Sequence, residues 1–555
     1  MSALVLNRAL SFFVRIGAAA LWCLALGSGM RGDTGARVEF SQSASTIAAY
    51  RFVEITAKVE EPGVGNPFTE AAFTGSFGKE GSTPTTQVEG FCDAADGKIF
   101  RIRFMPSTPG KYVYHLTLKL GSRTESYAGR FEATDEHLRG PIRIDPEHRW
   151  HFIWEGTGEH YYFYGDTAFW LMGWRDDRIV ENNLERLHRL KINRVRVLIH
   201  GRANNFYSEP IVLGSNFTTF MSPWLAEKAE DLYRPGYDFT RFDVAYWQRM
   251  DRMLQAARER DMVISLIFGL GDDPVHTQPY SEDERRYFRY AIARFAAFCN
   301  VTWDLGDDLD SFRDDKWAHD TGTWLKQWDP YKHLATSHPV HDIHQDRASE
   351  WFDFTSLQDW NRTQHEYMLK QRQVQASTGR IIPQTNEEYG YEDHYPTWAP
   401  RPPEDSTEVL RRTAWDIAMT GAYQTAGETA KTGTNVWPDT GGGWFNGRGD
   451  DSMTLLVAYR HIYDFFTSFS WWTTEPHDEL VSPGNYCLAA PGKIYALYLP
   501  QGGSATVKLE AGKYHAEWLN PLNGERISLP EVEGPSWTSP VGPENHDWAI
   551  LLQHN

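Results

Sequence analysis

Two short stretches of the sequence end an apolar run with a pair of acidic residues. The first runs from Asn300 to Asp308 (NVTWDLGDD) and the second from Ile381 to Glu388 (IIPQTNEE). Carboxylates are costly to bury at the end of a strand, so they are usually kept there for chemistry or for an ion pair. Two carboxylates that face each other can share the work of a glycosidase, one as proton donor and the other as nucleophile or base. The remaining sequence must then supply a scaffold that brings the two ends together.

Length and composition place the chain among large globular proteins. Its 555 residues exceed what one hydrophobic core usually supports, which predicts two to four domains. A net charge of −19 argues against non-specific binding to nucleic acid. Aromatic residues make up 14% of the chain, which suits stacking on sugar faces but is also explained by large aromatic cores. The Cys residues match no zinc spacing. His338, His341 and His344 could suggest zinc, but their loop spacing and the absence of a following acidic motif oppose it, and we predict no cofactor and no metal.

The beginning of the sequence has the pattern of an export signal, so we predict a signal peptide at residues 1–30. Arg8 and Arg15 precede an apolar segment from Ile16 to Leu26, and small residues follow it. This segment is too short to span a membrane as a stable helix, and no later run is long and apolar enough to do so. The pattern predicts a periplasmic or secreted protein without a membrane span.

Residues 38–138 and 475–555 alternate between apolar and polar positions with a period of two. The stretches Lys111–Leu118 and Lys493–Leu499 are examples, and clusters of Pro, Gly and Asn separate such runs. Half-buried strands have this pattern. We therefore predict a β-sandwich at each end of the chain.

Strand and helix patterns alternate between residues 140 and 470. Met262–Phe268 is a continuous apolar run, as expected of a strand that is buried on both faces. The strand candidates are 161–171, 193–200, 262–268, 301–303, 333–340, 352–360, 380–386 and 434–437. Eight strands that alternate with helices predict a (β/α)8 TIM barrel. The predicted fold class is a multidomain protein with a central TIM barrel flanked by N-terminal and C-terminal β-sandwiches.

Polar residues at the carboxyl ends of these strands form the candidate site, because the active site of a TIM barrel lies there. They are Asp166, Arg196, His200, Asp307, Asp308, His338, Trp360, Glu387, Glu388 and Trp437. Each has a structural alternative, such as an ion pair for the acids and barrel packing for the tryptophans. Asp308 also lies in an acidic cluster that would suit a cation instead.

Three motifs resemble glycoside hydrolase clan A. Asn300–Asp308 is similar to the clan's Asn-Val-x-Trp-Glu-x-x-Asn-Glu stretch, whose last residue is the acid/base. Asn193–Arg196 is similar to its strand-2 motif, whose Arg steadies the nucleophile. Glu388–Gly390 is similar to its nucleophile followed by an aromatic residue and Gly. The chain departs from the clan at positions 307 and 308, where Asp replaces Asn and Glu.

The chain resembles most the apiosidase-like barrels, in which an Asp occurs in the acid slot. Their Glu-x-x-Tyr-Glu pattern falls on Glu388, Tyr391 and Glu392, which adds Tyr391 to the candidates. Residues 66–68 and 104–114 resemble the N-terminal immunoglobulin-like domain of unknown function that precedes some of these barrels. Residues 475–555 resemble a C-terminal β module that is named for collagen binding, a name that we do not treat as a function.

The resemblance implies a retaining glycoside hydrolase with Asp308 as acid/base and Glu388 as nucleophile. Asp307 and an ionised Glu388 are expected to raise the pKa of Asp308, and Arg196 to keep Glu388 ionised. A retaining mechanism needs about 5–5.5 Å between the two carboxyl groups, and a wider gap implies inversion. The expected substrate-binding residues are Asp166, Arg196, His200, Asp307, His338, Trp360, Glu387, Tyr391 and Trp437.

Other functions remain open at this point. The departures at positions 307 and 308 favour a non-catalytic carbohydrate-binding protein with a degenerate barrel, whereas Glu388, Arg196 and Trp437 oppose it. A lyase would need a Tyr, Lys or His base in place of the acid pair. The expected partner is a polysaccharide or oligosaccharide, and an anionic one would suit the basic residues near the cleft, which are His200, Arg202, His338 and Arg362.

Overall fold

The structure of the protein is a computed structural model that describes residues 37–83, 85–202, 216–392, 406–428, 442–447 and 454–555. The predicted signal peptide and the predicted strand Thr434–Trp437 lie outside these ranges. Within them the chain forms an eight-stranded parallel barrel with sheet-rich regions before and after it. The predicted fold class is therefore confirmed. Across the described ranges, no helix combines the length and apolar character that a membrane crossing requires.

Two sheets face each other in the N-terminal region. Their strand orders are β1-β3-β7-β6 and β2-β9-β8-β4-β5. Along β8 every second side chain from Tyr112 to Leu120 is buried, so the alternation in the sequence becomes an inward-facing core. The strands are β1 Val38–Gln42, β2 Thr46–Ala48, β3 Val53–Val59, β4 Ala71–Lys79, β5 Thr86–Glu89, β6 Phe91–Cys92, β7 Ile99–Phe104, β8 Gly110–Leu120 and β9 Arg123–Thr134.

The barrel strands pair in parallel in the spatial order β19-β18-β17-β14-β13-β22-β21-β20. Strands β19 and β20 do not pair as a ladder, but the N–H of Asp353 donates to the carbonyl of Ala335 at 2.8 Å across this gap. The ring is thus nearly closed. The barrel strands are β13 Tyr164–Thr167, β14 Arg194–Leu198, β17 Val263–Ile267, β18 Val301–Asp307, β19 Ala335–His338, β20 Leu357–Gln358, β21 Thr385–Glu388 and β22 Tyr423–Ala426.

The eighth strand of the barrel differs from the predicted one. Thr434–Trp437 was expected to close the series, but β22 pairs with both β21 and β13 and fills the last position. The middle of β22 carries Gln424 and Thr425, which are buried although polar. The strand therefore lacks a continuous apolar run such as the one that indicates Met262–Phe268.

Helices and small sheets surround the barrel. Several helices begin at an Asp or Ser whose side chain accepts a backbone N–H of the first turn, as at Asp243, Ser281 and Ser406. The helices are α1 Asp177–Arg189, α2 Val244–Arg258, α3 Glu282–Phe295, α4 Asp315–Trp328, α5 Gln364–Ser377, α6 Thr407–Ala418, α7 Gly442–Asn446 and α8 Leu455–Phe466. The small sheets contain β10 Ile142–Ile144, β11 Phe152–Trp154, β12 His160–Tyr161, β15 Trp224–Ala226 and β16 Tyr237–Phe242.

The C-terminal region contains a seven-stranded sheet and a two-stranded sheet. Residues of opposite faces of the larger sheet belong to different cores: Ala496 and Leu551 pack with the barrel, whereas Leu497 and Ile550 pack within the C-terminal region. The larger sheet is thus covered on both sides. Its strands are β23 Glu475–Pro476, β24 Tyr486–Ala490, β25 Ile494–Leu499, β27 Lys513–Leu519, β28 Arg526–Ser528, β29 Val532–Glu533 and β31 Trp548–His554, and the smaller sheet pairs β26 Thr506–Lys508 with β30 Ser536–Thr538.

A buried ion pair fixes this region to the barrel. Arg411 on α6 donates two hydrogen bonds to the carboxylate of Asp547, at 2.6 and 2.7 Å. The hydroxyl of Tyr498 donates to the same carboxylate at 2.8 Å. Since both charged side chains are almost fully buried, each depends on the other for its charge compensation.

We predict that Arg411→Ala lowers the free energy of unfolding by about 3 kcal/mol, because Asp547 is left buried without its main cation. Urea unfolding followed by tryptophan fluorescence measures the change. The control is Arg460→Ala, which removes an exposed pair with Asp464 and should cost less than about 1 kcal/mol. Equal stability of the two variants would contradict the structural role of the Arg411 pair.

Candidate active site

Two arginines of β14 occupy the interior of the barrel. Arg194 and Arg196 are two positions apart, so their side chains leave the strand on the same face, and both are fully buried. A buried guanidinium needs anionic partners. These partners come from β18 and β21, which are the two acid-tipped stretches of the sequence. The arginines therefore draw the two stretches together inside one barrel.

Glu387 is the partner that both arginines share. Its Oε1 accepts a hydrogen bond from Nη1 of Arg194, and its Oε2 lies 3.3 Å from Nε of Arg196. Ser356 Oγ donates to Oε2 at 2.8 Å. Burial raises the pKa of Glu387, but the two arginines and Ser356 outweigh burial and lower it. Both carboxylate oxygens of Glu387 are thus held by groups of the protein.

Glu388 lies beside a histidine. Its Oε1 accepts a hydrogen bond from Nε2 of Gln358 at 2.9 Å, and its Oε2 is 3.5 Å from Nε2 of His338. Burial raises the pKa of Glu388, but the neighbouring His338, the charge of Arg196 and a hydrogen bond from Tyr391 lower it. Arg196 was expected to be the cation that keeps Glu388 ionised. In the structure Arg196 contacts Glu387, and His338 is the cation in contact with Glu388.

His338 connects the acids of the two strands. Its Nε2 is 3.7 Å from Oδ1 of Asp307, which also accepts a hydrogen bond from Nη2 of Arg196. Its Nδ1 lies 2.9 Å from Oγ of Ser356, and since Ser356 donates to Glu387, Nδ1 must be the donor. Burial and Arg196 lower the pKa of His338, but Asp307 and Glu388 outweigh them and raise it to about 9. His338 is therefore a cation at neutral pH.

Among the described residues, two groups of side chains have the composition of a metal site. Ligand atoms of Asp307, His338 and Glu388 lie within 4.8 Å of one another. Arg196 and the protonated His338 already neutralise this group, which disfavours a divalent cation there. The second group consists of Asp310, His341 and His344, on the loops that follow β18 and β19.

Asp308 follows the last residue of β18 and has a left-handed backbone conformation, with φ +51° and ψ +41°. A Cβ at Gly271 would lie 2.7 Å from the Cβ of Asp308, so the neighbouring loop needs glycine at that position. Asp308 Oδ1 is buried and has no hydrogen-bond partner among the described residues. Burial, Asp307 and Glu388 raise the pKa of Asp308 to about 8, in the direction expected from the sequence. The carboxyl group is therefore protonated at neutral pH.

Several residues of this group were not among the candidates from sequence. Arg194 and Gln358 contact Glu387 and Glu388 directly. Asp304 Oδ2 lies 3.9 Å from Nη2 of Arg196, and burial raises the pKa of Asp304 to about 7. The period of two along β14 indicates Arg194 once Arg196 is chosen. Gln358 is neutral and lies on a two-residue strand, so no sequence pattern indicates it.

Asp166 and His200, two candidates from the sequence, have charged neighbours other than the acids of β18 and β21. Asp166 is fully buried on β13, and burial together with Glu428 raises its pKa well above the ordinary value. Glu428 in turn pairs with Arg186 of α1. Nε2 of His200 lies 3.1 Å from Oδ2 of Asp273, and burial lowers the pKa of His200.

The two tryptophan candidates have different outcomes. Trp360 is half-buried and packs edge-on against Tyr391, with ring centroids 5.4 Å apart. It therefore lies next to a side chain that hydrogen-bonds Glu388. Trp437 lies outside the described residues.

The strand ends thus combine two carboxyl groups whose pKa values are moved in opposite directions. The pKa of Glu388 is lowered, so Glu388 is an anion, whereas that of Asp308 is raised to about 8. Such a pair can supply a nucleophile or base and a proton donor at the same bond. Cleavage of a glycosidic bond needs these two functions.

Several solved structures with a similar fold are described as glycoside hydrolases. A Bacteroides vulgatus protein described as a candidate glycoside hydrolase superposes with a TM-score of 0.72 at 19% identity, over 92% of this chain and 100% of that one. A glycoside hydrolase family 5 protein from the same organism has a TM-score of 0.58 at 17% identity, over 75% of this chain and 93% of that one. A further glycoside hydrolase has a TM-score of 0.56 at 15% identity, over 75% and 97% of the chains. These identities support the fold alone.

Family models match two parts of the chain. A domain of unknown function, DUF5060, matches residues 46–119 of the N-terminal region. The apiosidase-like catalytic domain matches residues 148–429, which include all eight barrel strands and about half of the chain. A comparison with curated proteins found no match. The resemblance seen in the sequence is confirmed, and the chain belongs to the apiosidase-like family of glycoside hydrolases.

Proposed function

We propose that the protein is a secreted or periplasmic retaining glycoside hydrolase that cleaves O-glycosidic bonds in a complex polysaccharide. Glu388 is the nucleophile and Asp308 is the acid/base. One contrast carries this proposal. The carboxylate of Glu388 lies 3.5 Å from a histidine nitrogen, whereas Asp308 keeps a buried oxygen without a hydrogen-bond partner among the described residues.

The surroundings of Glu388 suit a nucleophile. His338, Gln358 and Tyr391 fix the orientation of its carboxylate and keep it ionised. In the first step a carboxylate oxygen of Glu388 bonds to the anomeric carbon while the bond from that carbon to the leaving oxygen breaks. The positive charge of His338 remains beside the second oxygen during this step.

The surroundings of Asp308 suit a proton donor. Its protonated carboxyl group gives its proton to the leaving oxygen and becomes a carboxylate. In the second step this carboxylate takes a proton from water, and the water oxygen bonds to the anomeric carbon and releases Glu388. Asp308 is then protonated again. The two inversions retain the configuration of the sugar.

Asp307 is the rival for the role of proton donor, because one of its carboxylate oxygens lies within 4.8 Å of one on Glu388. However, Asp307 accepts a hydrogen bond from the permanently charged Arg196, which stabilises its carboxylate form. Burial nevertheless raises the pKa of Asp307, so the hydrogen bond from Arg196, rather than the direction of the pKa shift, distinguishes Asp307 from Asp308. We assign Asp307 to positioning and to substrate contact.

Substrate contacts are proposed for the side chains around this pair. The half-buried ring of Trp360, supported by Tyr391, suits stacking on a sugar. An anionic sugar has less support than the sequence indicated, since Arg202 pairs with Asp273 and with the backbone carbonyl of Asp231. Neutral and acidic polysaccharides therefore both belong in an activity screen.

The alternative of a non-catalytic carbohydrate-binding barrel rests on the two Asp residues at positions 307 and 308. Asp308 has one methylene fewer than the Glu that commonly fills the acid slot. The raised pKa of Asp308 and the lowered pKa of Glu388 favour catalysis, because binding requires neither shift. Release of reducing ends, measured beside glycan binding, separates the two functions.

We predict that Glu388→Gln abolishes the release of reducing ends from the wild type's substrate in a panel of plant and algal polysaccharides. Asp308→Asn should lower kcat/KM about 10²–10⁴-fold on the same substrate, because the leaving oxygen departs without a proton. Asp308→Asn should lose much less activity on an aryl glycoside of the same sugar, because its phenolate leaving group departs without a proton.

The matched control is Asp307→Asn, which restores the commoner clan residue. Its ratio of activity on the aryl glycoside to activity on the polysaccharide should equal that of the wild type. Glu181→Gln, on the exposed face of α1, should not change activity. If Asp307→Asn, rather than Asp308→Asn, loses activity on the polysaccharide but keeps it on the aryl glycoside, the proton donor is Asp307. If the wild type binds a glycan and releases nothing, the enzyme proposal fails.

We predict a bell-shaped dependence of kcat/KM on pH. Activity falls above about pH 8 because Asp308, with a pKa of about 8, loses the proton that it must donate. Activity falls at acidic pH only below the ordinary pKa of a glutamate, because the pKa of Glu388 is lowered. Tyr391→Phe removes a hydrogen bond to Glu388 and should move the acidic limb alone to higher pH. An alkaline limb that begins near pH 5 would contradict the assignment of Asp308.

A further inference from the structure

A group of two histidines and one carboxylate lies on the two loops next to the candidate active site. Asp310 follows β18 within the short turn Leu309–Ser311. After β19, His341 precedes the turn Asp342–His344, and His344 is the last residue of that turn. One ligand atom from each of Asp310, His341 and His344 lies within 4.8 Å of the other two. The set is therefore gathered from separate loops rather than from one run of sequence.

The three side chains converge on one carboxylate oxygen. Oδ2 of Asp310 lies 2.7 Å from Nδ1 of His341 and 3.9 Å from Nε2 of His344. Ligand atoms in a tetrahedral zinc site are about 3.3 Å apart, since each is about 2.0–2.1 Å from the metal. Shifts of about 1 Å would therefore bring the three atoms into coordinating positions.

The groups behind these atoms have the arrangement that orients metal ligands. Nδ1 of His344, the nitrogen that does not face Asp310, lies 2.7 Å from Oδ1 of Asp315. A ligating histidine commonly donates its other N–H to a carboxylate in this way, which fixes the tautomer and the ring orientation. Oδ1 of Asp310 accepts the backbone N–H of Val340 at 2.6 Å, and Oδ2, which faces the two imidazoles, also accepts the backbone N–H of His341 at 3.3 Å.

We propose that Asp310, His341 and His344 bind one Zn²⁺ ion or a similar borderline divalent cation. His341 ligates through Nδ1, His344 through Nε2 and Asp310 through Oδ2, and water completes the coordination because His341 is 69% exposed. Two imidazoles and one carboxylate suit Zn²⁺, Co²⁺ or Ni²⁺, whereas Ca²⁺ and Mg²⁺ prefer sites made of oxygen alone.

The position of the site gives the metal a structural role. Asp310 is two residues after Asp308, and Ser311 Oγ donates to the backbone carbonyl of Asp308 at 2.6 Å. A bound ion would join the loop that carries Asp308 to the loop after β19. The ion is placed outside the pair of carboxyl groups that perform the proposed hydrolysis, so metal binding and hydrolysis can be tested separately.

The experiment measures binding of Zn²⁺ and Co²⁺ to the untagged full chain after treatment with a chelator and dialysis. We expect one equivalent of Zn²⁺, visible absorption bands on addition of Co²⁺, and no stoichiometric binding of Ca²⁺. His341→Ala and His344→Ala should each weaken binding at least about 100-fold, and Asp315→Asn about 10–100-fold through the orientation of His344.

The matched control is His319→Ala, which removes another exposed histidine paired with an aspartate, Asp346. It should bind Zn²⁺ like the wild type, and circular dichroism should show that all variants are folded. The proposal is overturned if the wild type binds no stoichiometric Zn²⁺, or if His341→Ala and His344→Ala bind it as tightly as His319→Ala. The proposal is supported if the Co²⁺ absorption is lost in His341→Ala and His344→Ala but kept in His319→Ala.

Discussion

The buried guanidinium of Arg196 is the interaction on which the site depends. It hydrogen-bonds Asp307, lies 3.3 Å from Glu387 and lies 3.9 Å from Asp304, so one side chain of β14 joins β18 and β21. A buried charge is stable only with such partners, and removing one of them typically costs about 3–5 kcal/mol. The distance between the two acid-tipped strands is therefore fixed by the fold before a substrate binds.

The balance of charge around Arg196 explains why one carboxyl group keeps its proton. Five acids meet at these strand ends, Asp304, Asp307, Asp308, Glu387 and Glu388, and the cations in contact with them among the described residues are Arg194, Arg196 and His338. Arg194 and Arg196 contact Glu387, His338 contacts Glu388, and the pKa values of both glutamates are lowered. Arg196 also hydrogen-bonds Asp307, but burial raises the pKa of Asp307. Asp308 has no such contact, and burial beside other acids raises its pKa. The division into nucleophile and proton donor thus follows from where the cations lie.

The barrel strands that carry this site were predicted from the sequence better than the contacts between its side chains. Seven of the eight predicted strands overlap barrel strands, but β22 was missed because its buried residues include Gln424 and Thr425. Glu388 and Asp308 were chosen by motif, whereas the approach of His338 to Asp307 depends on how β19 lies beside β18, which no local pattern contains. The grouping of Asp310 with His341 and His344 was missed for the same reason, since two loops must fold before it exists.

The central claim is that Asp308 is protonated at neutral pH while Glu388 is ionised. The most direct measurement is a ¹³C NMR titration of the protein labelled at the aspartate side-chain carboxyl carbons, compared with the same titration of Asp308→Asn. The account predicts one resonance that titrates near pH 8 in the wild type and is missing in the variant. If the resonance lost in Asp308→Asn instead titrates near the ordinary aspartate value of about 3.9, Asp308 is ionised at neutral pH and cannot be the proton donor proposed above.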